Sequence, residues 1–216
     1  MVDDDPFTRA TLASSLQVLG CFVLAADSVS SALKAIRNYR GETPPNVALL
    51  DLDLGEGPTG LDLAHILREE FPDLAIVLLS TYQDPRLLGG NQPEIPIGGI
   101  YIVKSSVSSP QILADALNQA LEMAKSKVKK FQGSDNEAIL HGLTDKQIEM
   151  MRMVASGLSN SEIAKRQWMT EAAVEKAITR LIKKLKLESS KEQNQRVMIA
   201  GAYHQFTGSV NVRTDN

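Results

Sequence analysis

Four short apolar runs, at residues 21–26, 47–51, 75–80 and 100–104, are rich in Val, Ile and Leu and do not alternate with polar residues. Runs of that length and composition predict strands buried on both faces, as in a parallel sheet covered by helices. Between them, residues 7–19, 29–39, 60–71 and 109–127 carry helical periodicity, several followed by stops such as Gly20 and Pro72. The alternation breaks once. Residues 84–99 contain Gly89, Gly90, Pro93, Pro96, Gly98 and Gly99, so a loop with at most one short turn is expected there.

The pattern changes after residue 127. Residues 128–142 form a polar junction, with Gly133 and Ser134 as its flexible point, and 145–156, 160–167, 171–186 and 190–204 then read as helices. Breaks at Gly157-Leu158-Ser159 and Trp168-Met169-Thr170 separate them. The expected architecture is an α/β domain with a doubly wound parallel sheet at 1–127, a linker at 128–142, a small all-α domain at 143–204 and a polar tail at 205–216. A chain of 216 residues accommodates two such cores.

Charge is divided along the same line. Residues 1–122 hold 7 basic and 16 acidic side chains, a net −9, whereas residues 143–216 hold 12 and 8, a net +4. The acidic half suits cations or basic groups and the basic half suits a polyanion. No run of about 18 apolar residues could span a bilayer, and a start containing Asp3, Asp4 and Asp5 is the reverse of a basic signal peptide, so a soluble cytoplasmic protein is expected. The single cysteine, Cys21, sits in the apolar run Cys21-Phe22-Val23-Leu24 and reads as core filler.

The candidate chemistry lies at strand ends, where ligands of open α/β sheets bind. Asp3 and Asp4 follow a strand end, Asp51 closes Val47–Leu50, Ser80 closes Ala75–Leu79 and Lys104 closes Ile100–Val103. Clustered carboxylates repel unless a cation neutralises them, and a hard divalent ion such as Mg2+ meets that need. A carboxylate beside Mg2+, a lysine and a hydroxyl can attack a phosphoryl group and form an aspartyl phosphate.

Val2-Asp3-Asp4-Asp5-Pro6, Leu49-Leu50-Asp51-Leu52-Asp53, Leu79-Ser80-Thr81 and Tyr101-Ile102-Val103-Lys104 resemble the motifs of bacterial response-regulator receiver domains, a flavodoxin-like fold. The resemblance implies Asp51 as phosphoacceptor, Asp3 and Asp4 as the metal-binding acidic pair, and Asp53 as a further metal ligand through its backbone carbonyl. It also implies that Ser80 and Lys104 bind the phosphoryl group and that Tyr101 changes rotamer with Ser80; the other reading of Tyr101 is a plain sheet-edge tyrosine. A sensor histidine kinase is the implied donor. Two features depart from the family. Only Met1 and Val2 precede Asp3 where receivers have four or five apolar residues, so either the natural chain starts earlier or a core strand is short. The Gly/Pro-rich stretch 84–99 stands where the family has its fourth helix.

In 171–186, Val174, Ile178, Leu181 and Leu185 share one helical face, while Lys176, Thr179, Arg180 and Lys183 occupy the opposite one behind an N-cap at Thr170. With 160–167 before it, this reads as a helix-turn-helix whose second helix enters the major groove of double-stranded DNA; the bland reading of the charged face is a solvated surface. Leu143 to Leu187 resembles the LuxR-type output domain of NarL/FixJ-type response regulators, most specifically at Gly157-Leu158-Ser159-Asn160-Ser161-Glu162-Ile163-Ala164. Glu175 and Ala177 replace the family's common Lys and His, so the operator is not inherited from relatives. The last helix, with Arg196, Val197, Ala200 and Tyr203, resembles the family's dimerisation helix, which would imply a homodimer; the other reading of its apolar positions is plain core packing. The expected function is phosphorylation-controlled promoter binding. Two alternatives are a regulator that is never phosphorylated and an aspartyl-nucleophile phosphatase, whose motif needs Thr or Val where Gly55 stands.

Overall fold

Val47–Asp51 (β1), Ala75–Ser80 (β2) and Ile100–Val103 (β3) pair in parallel in that order, with Val47 opposite Ala75 and Ser80 opposite Val103. All six residues of the central strand are buried, and the five before Ser80 are accordingly apolar. The computed structural model describes residues 1–41, 43–89, 92–126, 139–140, 142–187 and 194–208. Most of the expected linker, the first residues of the fourth C-terminal helix and the tail beyond 208 lie outside them. The chain divides into two compact units, Met1–Thr81 with Pro93–Gln132, and Tyr82–Gln92 with Gly133–Asn216.

Among the described residues the first unit also holds four α-helices. Pro6–Val18 (α1) starts at Asp5, whose side chain accepts from Thr8 N, and Val29–Asn38 (α2) starts at Ser28. Gly60–Glu70 (α3) opens with a capping box in which Thr59 and Asp62 satisfy each other's backbone N–H groups, and Pro110–Ser126 is α4. Leu113, Ala116, Leu117, Ala120 and Ala124 of α4 pack on Leu49, Val77 and Leu79. Gly60 is required at the head of α3, because a Cβ there would stand 1.9 Å from the Asp51 carbonyl oxygen.

The run 21–26 is not a strand, contrary to its composition. Val2 bridges Leu50 on one side and Ala26 on the other, with Val2 N donating to Leu49 O at 2.9 Å and Asp3 N to Ala26 O at 3.2 Å. Among the described residues of that run, Ala26 is the one that takes part in a bridge. Alongside is a cavity of about 560 Å3 lined by residues including Leu16, Cys21, Val23, Val47 and Leu49. Cys21 is exposed, so it does not fill the core as its neighbours suggested.

The second unit is helical. Asp145–Ala155 (α5), Asn160–Gln167 (α6), Glu171–Lys184 (α7) and Gln195–Thr207 (α8) enclose a core that includes Met151, Ile163, Val174, Ile178, Leu181 and Ile199. The last helix runs three residues into the expected tail because Phe206 is a core residue. Into this core comes a segment from the Gly/Pro-rich stretch. Pro85–Leu88 forms the single short 3-10 turn expected of that stretch, but its contacts are with the helices. Leu87 is fully buried among them, Arg86 Nη1 and Nη2 donate to the carbonyls of Leu143 and Leu140 at 2.9 and 2.8 Å, and Gln83 N donates to Phe206 O at 2.8 Å. Asp84 holds the Arg86 fork at 2.7 Å. Truncating a leucine so enclosed removes its packing and leaves a hole. Leu87→Ala should therefore destabilise the helical unit by about 2–5 kcal/mol, read by urea unfolding of the full chain. An unchanged midpoint would show that this segment is not part of the core.

Candidate functional site

The parallel ladder brings the strand-end residues together. Asp51 stands opposite Leu79 and Ser80 opposite Val103, so Asp51, Ser80 and Lys104 fall together at the carboxyl ends of the three strands. Asp3 joins them because Val2 is bridged to Leu50. Carboxylate oxygens of Asp3, Asp4 and Asp51 lie within 4.8 Å of one another, with Asp3 and Asp51 buried and Asp4 exposed. Lys104 Nζ donates to Asp51 Oδ2 at 2.6 Å and to Asp3 Oδ2 at 3.0 Å. Ser80 is completely buried at the end of β2. Asp53 is half-buried in the following loop, where its carboxylate accepts from Gly55 N at 3.2 Å. Tyr101 is buried on β3, an outer strand of the three, opposite Leu78.

Two supports of this pocket carry no motif. Arg9, one turn into α1, donates from Nη1 to the carbonyls of Asp3 at 2.7 Å and Asp4 at 3.1 Å, fixing the backbone that presents both carboxylates. Its position four residues after the helix-capping Asp5 was the only available signal. Gly60, described above, lets α3 start against the backbone of Asp51 itself.

Electrostatics follows from burial. Loss of water around the Asp51 carboxyl pushes its pKa up to about 6; the hydrogen bond and charge of Lys104 oppose the shift, and the Asp3 charge adds to it. Burial also works against the Lys104 ammonium, but its contacts with Asp51 and Asp3 outweigh that cost and raise its pKa. Three carboxylates against one ammonium leave the cluster short of positive charge. The donor set is all oxygen and partly open at Asp4, which fits a hard divalent cation that keeps some of its waters.

In the helical unit, Val174, Ile178, Leu181 and Leu185 are buried, and Lys176, Thr179, Arg180 and Lys183 are exposed on the other side of α7. Thr170 caps this helix by accepting from Ala173 N at 3.2 Å, and Thr179 Oγ1 donates to Glu175 O at 3.0 Å. Lys184 is engaged internally, with Nζ 2.7 Å from Gly142 O. Arg196, read from sequence as part of a dimerisation helix, holds the start of α6 by donating to Asn160 Oδ1 at 2.7 Å and to Leu158 O. Tyr203 donates its hydroxyl to Leu87 O at 3.1 Å.

Comparison with known proteins agrees in both halves. Residues 1–89 match the response regulator receiver domain, and residues 141–195 match the luxR family of bacterial regulatory proteins. A nitrate/nitrite response regulator protein homolog of Haemophilus influenzae is 28% identical over 202 residues, spanning 88% of this chain and 90% of its own. The DNA-binding transcriptional activator DevR/DosR of Mycobacterium tuberculosis is 29% identical over 203 residues, spanning 87% and 88%. The two-component response regulator RcsB, solved in complex with DNA, superimposes with a TM-score of 0.56 at 21% identity over 95% of this chain and 96% of that one, a likeness of fold.

The raised Asp51 pKa has a consequence for stability in the absence of added metal. A carboxyl whose pKa is about 6 when folded and near 3.8 when unfolded favours the folded state in its neutral form. That contribution is present in full below the unfolded value and is lost as pH rises through about 6. Without divalent cations, Asp51→Asn should gain unfolding free energy relative to the wild type between pH 4 and pH 7, by up to roughly 3 kcal/mol at 1.36 kcal/mol per pKa unit, read by urea unfolding. A difference that is the same at both ends of that range would contradict the burial argument.

Proposed function

We infer that this chain, a response regulator composed of a receiver domain and a LuxR-type DNA-binding domain, accepts a phosphoryl group on Asp51 and thereby controls its binding to promoter DNA. The observation that carries the reading is the Lys104 ammonium shared by Asp51 and Asp3 beside a third carboxylate. In the proposed reaction an Asp51 Oδ forms a bond to phosphorus while the bond from phosphorus to the donor breaks, its electron pair leaving with the donor. A sensor histidine kinase is the natural donor, with phosphohistidine imidazole as leaving group. Asp3, Asp4, Asp51 and the Asp53 carbonyl would hold Mg2+, which when bound offsets charge on the phosphoryl oxygens. Lys104 is placed to take up further negative charge and Ser80 to donate a hydrogen bond, with Tyr101 following Ser80. The protein acts as a regulator rather than an enzyme.

The DNA partner is double-stranded, contacted by Thr170, Lys176, Thr179, Arg180 and Lys183, and a homodimer is the assembly that suits such a domain. The reading places the protein in the cytoplasm. Among the described residues no helix is long and apolar enough to cross a membrane.

Acetyl phosphate with Mg2+ should add one phosphoryl group to the wild type and none to Asp51→Asn, read by intact mass. Equal labelling of the variant would overturn the assignment, and labelling that leaves DNA affinity unchanged would favour a regulator independent of phosphorylation.

The two lysines of α7 separate by position. Lys176 lies near the helix end that reaches base edges and Lys183 about two turns further on. Lys183→Ala should weaken specific and non-specific duplexes alike and lower the salt slope by about 1, whereas Lys176→Ala should cost about 1–3 kcal/mol mainly on the specific site. Unchanged affinity of both at low salt would reduce this face to a solvated surface.

A further inference from the structure

Helix α6 ends in a tight motif in which Trp168 N is bonded to Lys165 O and Met169 N to Ala164 O. The residue at the turn of such an end has left-handed backbone geometry, a place for glycine, because any Cβ there is crowded. Gly20, Gly157 and Gly208 take left-handed positions after α1, α5 and α8. After α6 the position holds Trp168, at φ 54°. Apart from Lys186, which follows α7, it is the one non-glycine residue with positive φ among those described. Its side chain is 95% exposed, the most exposed large apolar group described.

The fold gains no packing from this indole and accepts a strained backbone to present it. Strain and exposure together at one position point to an external contact. Its position says with what. Trp168 stands two residues before Thr170, the cap of α7, in the turn of the helix-turn-helix, and the exposed Lys165 and Arg166 close the helix before it. Two exposed cations two and three residues before an exposed indole match a sugar-phosphate backbone flanked by base edges. Resting on the reading that α7 binds double-stranded DNA, we propose that Trp168, with Lys165 and Arg166, is a second DNA contact that lies against the duplex where the end of α7 enters the groove. It anchors the turn, while the exposed face of α7 reads sequence.

Trp168 is the only tryptophan in the chain, so its emission reports on this contact directly. The full-length protein is titrated with an unlabelled duplex recovered by selection from random sequence, and acrylamide quenching of Trp168 is measured free and at saturation. Binding itself is followed separately, by anisotropy of a labelled copy of the duplex. The quenching constant should fall at least about twofold in the complex. Trp168→Gly should bind about 5- to 30-fold more weakly while melting no lower than the wild type, a combination that a structural role would not give. Lys165→Ala with Arg166→Ala should reduce the salt slope by about 1 to 2. Saturation with unchanged quenching, or full affinity in Trp168→Gly, overturns the contact and leaves the α7 reading intact. Absence of binding to any duplex overturns both. The quenching arm needs no variant, so it decides the matter even if Trp168→Gly does not fold.

Discussion

Like charges held out of water demand a partner, and in the α/β unit that partner is a single ammonium. Asp3 follows the bridged Val2 and Asp51 ends β1, and both are buried. Lys104 reaches them from a third strand end, and the parallel register makes the three meet. Much of the surrounding architecture serves that meeting: Gly60 lets α3 approach the Asp51 backbone, and Arg9 fixes the turn carrying Asp3 and Asp4. An ammonium answers two of three carboxylates, so the pocket is built with a standing deficit of positive charge. That deficit is what the proposed Mg2+ would answer and, with it, the phosphoryl oxygens of the proposed reaction.

The helical unit solves the opposite problem. If α7 is the DNA-facing helix, as proposed, it has to present cations without letting them collapse onto the protein's own acceptors. The burial of Val174, Ile178, Leu181 and Leu185 orients the helix so that Lys176, Arg180 and Lys183 stay in water. Lys184, one residue further along the helix and also exposed, donates to Gly142 O at 2.7 Å and to Gln147 Oε1 at 3.1 Å. Neighbouring lysines on α7 therefore differ in role: one is tied to the start of α5, and the other belongs to the face proposed to meet DNA.

What could be read from the sequence was what periodicity and motif spacing encode. β2, the limits of α6 and the apolar stripe of α7 follow from local pattern alone. The run at 21–26 misled because a strand needs a partner, and the composition of Cys21–Ala26 contains no information about what lies beside it. Cys21 was misplaced by the same inference. The stretch 84–99 declared its irregularity through glycine and proline, but its destination rests on one leucine and one arginine without periodicity. Trp168 was invisible as a special position for a simpler reason: glycine announces positive φ, and tryptophan conceals it. In the pocket, spacing located Asp3, Asp51 and Lys104, whereas Arg9 and Gly60 act through backbone atoms and leave no motif.

Residues 82–92 belong in sequence to the first half of the chain and in space to the second. This has a bearing on how such a protein can be inherited. An exchange of halves at the polar junction 128–142 would look harmless in an alignment, since it cuts through neither sheet nor helix-turn-helix. The hybrid would nevertheless lose Leu87 from the centre of its helices and leave the carbonyls of Leu140 and Leu143 without the Arg86 fork. The two halves are therefore bound as a lineage, and a viable recombinant must bring its own version of that segment along.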